Sequence, residues 1–313
     1  MQLVRQLNNY QSKENGIALS IGNFDGVHKG HRSVIKFLLE KSKELNIPSG
    51  IMCFEPQPLE FFQSIKIPAR LSRFRDKFVI FNELGVDKVF CLNFNKELAK
   101  LSPCDFVRKY LVEKLNIKYL VVGDDFRFGV NGKGDFELLK NLGSQYGFNV
   151  VSMESFLYDE ERISSTAIRN FLREGLLEKA KSFLGCDYYI SGKISYGQQL
   201  GRTIGFPTAN INLKRRVIPL YGVYIVRVEN ITDKPMYGMA NVGSRPTVNG
   251  VEPRLEVYIF DFNGELYHKE LKVVFLSKLR DEKKFNSLDE LVNQLKNDEL
   301  SAREYLKYNK IVS

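Results

Sequence analysis

Apolar and polar positions follow two different rhythms along this chain. In the first half, short apolar runs recur: "GIALSIG" (16–22), "SGIMCF" (49–54), "DKVFCL" (87–92), "KYLVVG" (118–123) and "FNVVS" (148–152). They are apolar at nearly every position, the pattern of strands covered on both faces. Stretches of helical period separate them. One opens with Ser102 as N-cap and Pro103 at the first helical position. Its "FVRKYLVEKL" then places Phe106, Tyr110 and Leu111 on one face. Alternating strand and helix predicts an α/β domain with a parallel sheet and right-handed crossovers.

The rhythm changes near Gly185. Two helical stretches, "STAIRNFLREG" and "LLEKAKSFLG", each end in glycine, a common C-cap. Beyond them the chain is rich in strand patterns: "YYISGKIS", "GVYIVRVEN", "PMYGMANVG", "RLEVYIFDF" and "ELKVVFLSKL". A last helix opens with a capping box, Ser287 to Glu290. The expected organisation is an α/β domain over 1–183. A second domain over 184–313 is expected to be an antiparallel barrel or sandwich closed by a C-terminal helix.

Composition narrows this picture. A chain of 313 residues with 43% hydrophobic content suits two folded domains. No apolar run reaches the ~18 residues of a membrane span. The start of the chain lacks the apolar core of a signal peptide, so a cytoplasmic protein without a membrane partner is expected. Cys53, Cys91, Cys104 and Cys186 are scattered without a C-x-x-C pair and are expected to be buried free thiols. The net charge of +9 fits either a lysine-rich solvated surface or polyanionic ligands such as nucleotides. The longest basic cluster, Lys214–Arg216, is too short for a nucleic-acid tail, and no nucleic-acid partner is expected.

The chemistry-bearing residues start in "IGNFDGVHKGH". Two of the three histidines of the chain, His28 and His31, lie here between a strand and a helix. Gly22, Gly26 and Gly30 permit close backbone approach to a ligand. Ligands of parallel sheets bind beyond the carboxyl strand ends, and a helix N-terminus attracts anions. With Asn23, this is a candidate phosphate site. H-x-G-H after a strand is the nucleotidyltransferase signature, resembling enzymes that attack the α-phosphorus of a nucleoside triphosphate. No Walker A or Rossmann glycine motif occurs.

In "ERISSTAIR", the hydroxyls of Ser165 and Thr166 open a helix between Arg162 and Arg169, forming either an N-cap or a second phosphate cradle. In "VVGDDFRFG", Asp125, Phe126 and Phe128 either contact a flat ring or belong to an ordinary loop with core phenylalanines. In "GKISYGQQLGRTIGFPTANI", Gly192, Lys193, Gly197 and Arg202 suggest a flap over phosphates. Thr208 and Asn210 point the same way in an extended segment. They either bond in a turn or offer oxygens to Mg²⁺. Glu256, inside a strand pattern, either faces solvent or acts as a general base. It shares a face with Tyr258 and Phe260.

Together these motifs resemble the bacterial bifunctional riboflavin kinase/FMN adenylyltransferase (FAD synthetase) family. "IGNFDGVHKGH", "FEP", "VVGDDFRFG", "ISSTAIR", "GFPTANI", "NVGSRPT", "LEVYIFDF" and "KFNSLDEL" stand in that family's order, from about Gly16 to Leu306. The resemblance implies a Rossmann-like nucleotidyltransferase domain followed by a six-stranded antiparallel β-barrel kinase. Its partners would be ATP, riboflavin, FMN, FAD and pyrophosphate, with Mg²⁺ as cofactor. It implies that Asn23, His28 and His31 hold ATP phosphates. Arg162, Ser165, Thr166 and Arg169 would grip the β/γ-phosphates, and Asp125, Phe126 and Phe128 would lie near the flavin. Thr208 and Asn210 would coordinate Mg²⁺–ATP, and Glu256 would be the base for the ribityl hydroxyl. The family usually has histidine after "FEP", where this chain has Gln57. It often has arginine at Cys186 and glycine at His268. A chain with one silent module and a non-catalytic flavin/nucleotide-binding regulator are the competing readings. A monomer or weak transient oligomer is expected.

Overall fold

The computed structural model describes residues 1–7, 10–12, 15–62, 67–153, 157–158, 161–195, 200–213, 217–247, 250–266 and 269–312. Side chains at 157–158, 200, 202, 245–247 and 250–252 lie outside that description. The chain divides into two units: Met1–Pro68 with Ser72–Ser165, and Ala69–Leu71 with Thr166–Ser313.

The first unit carries six strands, β1 (Gln2–Val4), β2 (Ile17–Ile21), β3 (Ser49–Glu55), β4 (Lys88–Asn93), β5 (Ile117–Gly123) and β6 (Asn149–Met153). They form one sheet in the order β1-β4-β3-β2-β5-β6, every pair parallel. The five predicted apolar runs are β2 to β6. Both faces of the sheet are covered: Ile17, Leu19 and Ile21 enter one core and Ala18 the other. β1 escaped the periodicity argument because three residues are too few to display a period. The helices are α1 (Lys29–Glu44), α2 (Pro58–Phe61), α3 (Phe74–Glu83), α4 (Lys96–Ala99), α5 (Pro103–Phe106) and α6 (Phe136–Tyr146). Ser102 caps α5, its hydroxyl accepting from the Asp105 N–H at 3.0 Å. Past Phe106 the helix widens to i→i+5 spacing over Val107–Lys114, with Leu111 buried and Tyr110 packed against the same core. A short antiparallel pair, β7 (Leu157–Tyr158) and β8 (Glu161–Arg162), follows β6.

The second unit contains α7 (Ser165–Arg173), counted here from Thr166, and α8 (Leu177–Leu184). Gly185 caps α8 in the left-handed conformation, φ 82°. Then come β9 (Tyr189–Ser195), α9 (Leu200–Thr203), β10 (Thr208–Ile211), β11 (Gly222–Glu229), β12 (Met236–Thr247), β13 (Gly250–Ile259), β14 (Glu270–Arg280) and α10 (Leu288–Tyr308). The strands close into a barrel, β10-β13-β12-β11-β14-β9, all pairs antiparallel. Between barrel and sandwich, the chain takes the barrel. Ser287 caps α10 as expected, accepting from the Glu290 N–H at 3.2 Å. Ala302 and Leu306 of α10 pack on Ile225, Met239 and Phe260. Arg280, ending β14, forms a buried ion pair with Asp298 of α10 at 2.7 Å.

All four cysteines are free thiols; Cys53 and Cys91 are buried, whereas Cys104 and Cys186 are exposed. The expectation of burial therefore holds for two. Cys53 and Cys91 stand on central sheet strands, while Cys104 and Cys186 sit on a helix end and a connection.

Candidate functional site

In the first unit, the chain leaves β2 to one side for β3 and β4, then returns to the other side for β5 and β6. β2 and β5 therefore flank the point where strand order reverses, the usual ligand crevice of an open parallel sheet. The turn from Gly22 to His31 leaves β2 there, and Gly123–Phe126 leaves β5.

The turn is tightly held. Asp25 is buried and its carboxylate accepts from the Ser72 N–H at 3.0 Å. The Gly26 N–H donates to Ser72 Oγ at 2.9 Å, and Ser165 Oγ donates to the Asp25 carbonyl at 2.9 Å. These bonds keep Phe24 and Val27 at φ 49° and 41°. Bulky residues seldom accept the left-handed region, and such strain gathers at functional turns. His28 caps α1, its Nδ1 accepting from the His31 N–H at 3.3 Å, which leaves Nε2 as the donor. The first turn of α1 contains no acidic residue, so no carboxylate of that turn offsets its positive dipole end.

The two imidazoles stack, centroids 3.6 Å apart and planes 15° apart. His31 Nδ1 is buried and has no hydrogen-bond partner among the described residues. Burial holds His31 well below the ordinary imidazole range, and the His28 ring and Lys77 ammonium add to the effect. Lys77, on α3, was not singled out from sequence. It is fully buried, and its Nζ donates to the Asn23 carbonyl at 2.9 Å. Only an unusual lysine at an apolar helix position could have flagged it.

The remaining candidates of this unit divide. Arg162 pairs with Asp124 at 2.8 Å and with Asp125 at 3.4 Å. Phe126 and Phe128 stack on each other at 5.7 Å, and Phe128 is buried against Phe106. Phe126, half-buried, is the more accessible ring. Gln57 is buried and its Nε2 lacks a partner among the described residues.

In the second unit, Thr166 is exposed and Arg169 donates from Nε to the Ala69 carbonyl at 2.6 Å. Gly192 and Lys193 lie within β9, not in a flap. A Cβ at Gly192 would stand 2.5 Å from Ile211 Cγ2, so close packing with β10 accounts for that glycine. Arg202 is in α9, its side chain outside the description; Gly197 and His268 lie outside the described residues.

Thr208 and Asn210 of β10 border two cavities, of about 310 and 320 Å³. Glu256, Tyr258 and Arg254 of β13 line the first, whereas Val257 and Ile259, on the alternate face, line the second. Barrel register places Glu256 directly opposite Asn210 on one side and Asn241 on the other. Glu256 pairs with Arg254 Nη1 at 3.1 Å and is 26% exposed. Phe206 and Tyr258 meet edge-to-face at 5.1 Å on the wall of the first cavity. Glu282, in the segment after β14, reaches the same cavity and hydrogen-bonds Asn241. Burial pushes its carboxyl up, and the Glu256 charge adds to this against the opposing Asn241 and Arg280. Asn241, Arg254 and Glu282 were not anticipated: barrel register brings Asn241 opposite Glu256, Arg254 shares its strand face two residues earlier, and Glu282 arrives from the segment after β14. Oxygen donors at Thr208, Asn210 and Glu256 fit a hard cation such as Mg²⁺.

Comparison with known proteins covers both units. Residues 10–167 match the FAD synthetase family model and residues 184–306 the riboflavin kinase model. The bifunctional riboflavin kinase/FMN adenylyltransferase of Escherichia coli strain K12 is 47% identical over 99% of both chains. The Haemophilus influenzae protein of the same name is 44% identical over 97% of this chain and 99% of its own. A crystal structure from Streptococcus pneumoniae, named a macrolide-efflux protein, matches with TM-score 0.79 and 31% identity over 96% of this chain and 98% of that one. Among the described residues here, no helix is long and apolar enough to cross a membrane. The parallel-sheet unit with its H-x-G-H turn and the closed barrel with its T-A-N strand thus have matching relatives along the full chain, and the protein belongs to the bifunctional riboflavin kinase/FMN adenylyltransferase family.

Proposed function

We propose that the barrel unit phosphorylates riboflavin to FMN with ATP, and that the α/β unit joins FMN to AMP from ATP, releasing pyrophosphate. The observation that carries the first half is the pair of cavities meeting at Thr208 and Asn210, with Glu256 bordering one of them. The first cavity, walled by Phe206, Tyr258 and Phe285, suits a flat flavin ring. The second, beside the turn Asn263–Gly264, suits a nucleotide. A hydroxyl nucleophile is weak, and Glu256 removes its proton as it attacks the γ-phosphorus. Thr208 and Asn210, with Mg²⁺ when bound, hold the phosphates where the cavities meet; the cation offsets their charge.

In the α/β unit the attacking group is the FMN phosphate, already an anion, so no base is required. The α1 N-terminus, Asn23, Gly22 and Gly26 with His28 and His31 stabilise charge as pyrophosphate leaves the α-phosphorus. His28 Nε2 donates to a phosphate oxygen. Arg162, Ser165, Thr166 and Arg169 are proposed as further phosphate contacts, Gly192, Lys193, Gly197 and Arg202 as nucleotide contacts of the kinase. Asp125, Phe126 and Phe128 are proposed to face the flavin of the transferase. Both reactions are placed in the cytoplasm, in a monomer or weak transient oligomer.

The test is incubation of the full chain with riboflavin and Mg²⁺–ATP, with and without reductant, followed by flavin chromatography. FMN should accumulate first and FAD next. Absence of both products would sink the enzymatic reading and leave a flavin-binding regulator; absence of one would mark a silent module.

A further inference from the structure

Lys77 is among the largest fully buried side chains of the protein, at 0% exposure. Its Nζ donates to the Asn23 carbonyl at 2.9 Å, and the nearest carboxylate among the described residues, Glu55 Oε1, is 3.9 Å away. That separation exceeds a hydrogen bond. Glu55 is also 24% exposed, so water screens its charge. A buried ammonium is costly unless compensated by charge and hydrogen bonds. Here the described partners compensate it only in part, directly beneath a turn built to receive a polyanion.

The single strong contact has a geometric consequence. A trans peptide is planar, with C=O and N–H on opposite sides. Gripping the Asn23 carbonyl from inside therefore turns the Phe24 N–H outward. Phe24 itself is left-handed at φ 49°, and turns with that conformation gather N–H groups into anion-binding concavities. Building on the adenylyltransferase assignment above, we infer that Lys77 is a positioning residue for adenylyl transfer: its buried ammonium holds the Asn23–Phe24 peptide so that the turn presents its N–H face to the nucleotide phosphates.

The surroundings agree. His31 stacks on His28 and meets the Phe24 ring at 5.2 Å. The charged and titratable groups that act on His31 are His28 and Lys77, both disfavouring its protonation after burial itself. Lys77 in turn acts on Cys53 and Cys91, whose thiols pair across β3 and β4. Lys77 thus gives the site a buried side-chain cation, while burial and the neighbouring charges disfavour protonation of His31. No Walker A lysine is present in the chain, and this lysine arrives from a helix about 50 residues beyond the turn, a separation outside that motif's spacing.

The full chain carrying Lys77→Met or Lys77→Gln tests this. Adenylyl transfer to supplied FMN, riboflavin phosphorylation and the imidazole titration of His31 by NMR are measured on each. Lys77→Met should lower adenylyl-transfer kcat/KM for Mg²⁺–ATP by about a hundredfold. Riboflavin phosphorylation should stay within about twofold. The His31 titration should move up, because a neighbouring cation is gone. Lys77→Gln keeps a donor for Asn23, so it should recover part of the rate but none of the titration shift. A merely structural lysine would not give the separation between Met and Gln in adenylyl-transfer kcat/KM; the titration change reports that the Lys77 charge reaches the turn. Adenylyl transfer within twofold of the parent in Lys77→Met would overturn the inference. If the parent chain makes no FAD, the adenylyltransferase assignment fails. The His31 titration and the Phe24 amide resonance of the two variants then still decide whether Lys77 organises the turn. If Lys77→Met does not fold, Lys77→Gln against the parent carries the same comparison.

Discussion

Around the turn of the α/β unit the polar groups are imidazoles, a buried ammonium and backbone N–H groups, and its buried carboxylate, Asp25, is taken up by Ser72. Around β10 and β13 of the barrel they are carboxylates and amides, with Arg254 and Arg280 as counter-charges. On the proposed reactions the two units take related ligands, and the contrast follows the nucleophile. A phosphate nucleophile needs charge neutralised and nothing removed. A hydroxyl nucleophile needs a proton taken away, and the carboxylate proposed for that step, Glu256, is 26% exposed. The difference also appears in construction. The turn is a contiguous decapeptide, Gly22–His31, whereas the barrel site joins β10, β12, β13 and the segment after β14.

The sharpest way to break this comparison is Glu256→Gln. It removes the proposed base while preserving shape, and should lower riboflavin phosphorylation by about 10³- to 10⁴-fold. Adenylyl transfer to supplied FMN should be unchanged. Loss of both activities in a folded protein would mean that the carboxylate serves more than the kinase.

Next in size is Asp298→Ala. The Arg280–Asp298 pair is buried, with Arg280 also bordering the first cavity and Gln294 bonding Asp298 at 2.8 Å. Removing one partner strands the other charge and should cost about 3–5 kcal/mol of stability. Because the pair fastens α10 to β14, kinase activity should fail at a lower temperature than adenylyl transfer. Thermal inactivation followed separately for the two reactions checks this; simultaneous loss would deny the barrel its own local weakness.

His28→Ala should lower adenylyl transfer by about 10²- to 10³-fold, as for loss of one preorganised donor, while FMN formation continues. The α1 cap is lost with it, so a small drop in stability accompanies the rate effect. A rate effect below about tenfold would transfer the main role to backbone N–H groups and Lys77.

Legibility in sequence followed the same contrast. The five sheet strands, the Ser102 and Ser287 caps and the glycine turn were readable, because each depends on neighbours within a few positions. Thr208, Asn210 and Glu256 were readable as oxygen-bearing residues in strand patterns, but their meeting was not. Only register places Asn210, Glu256 and Asn241 in one row. Gly192 misled for a related reason: a glycine required where two strands crowd looks, in sequence, like one required for a flexible loop. Lys77 stayed hidden because charge on a helix ordinarily means solvent, and burial depends on the sheet above it.

The smallest expected effect is the most direct comparison of the two units, since their perturbed groups respond to pH in opposite senses. His31 is depressed in the folded state. The unfolded chain therefore binds a proton there, below an ordinary value of about 6.5, that the folded chain refuses. That contribution to stability is present above about pH 6.5 and is lost as pH falls toward the folded value. Glu282 is raised. Its contribution is present below the ordinary glutamate range and is lost as pH rises through the folded value. His31→Gln should thus flatten the fall in stability between about pH 6.5 and 5, by at most about 1.4 kcal/mol per pH unit. Glu282→Gln should stabilise the protein near neutrality and make no difference in acid. Denaturant titrations of both variants across that range measure each slope. A His31→Gln slope equal to the parent's would mean that the imidazole is hydrated in the folded state, and that the orphaned Nδ1 is not what distinguishes the turn from the barrel.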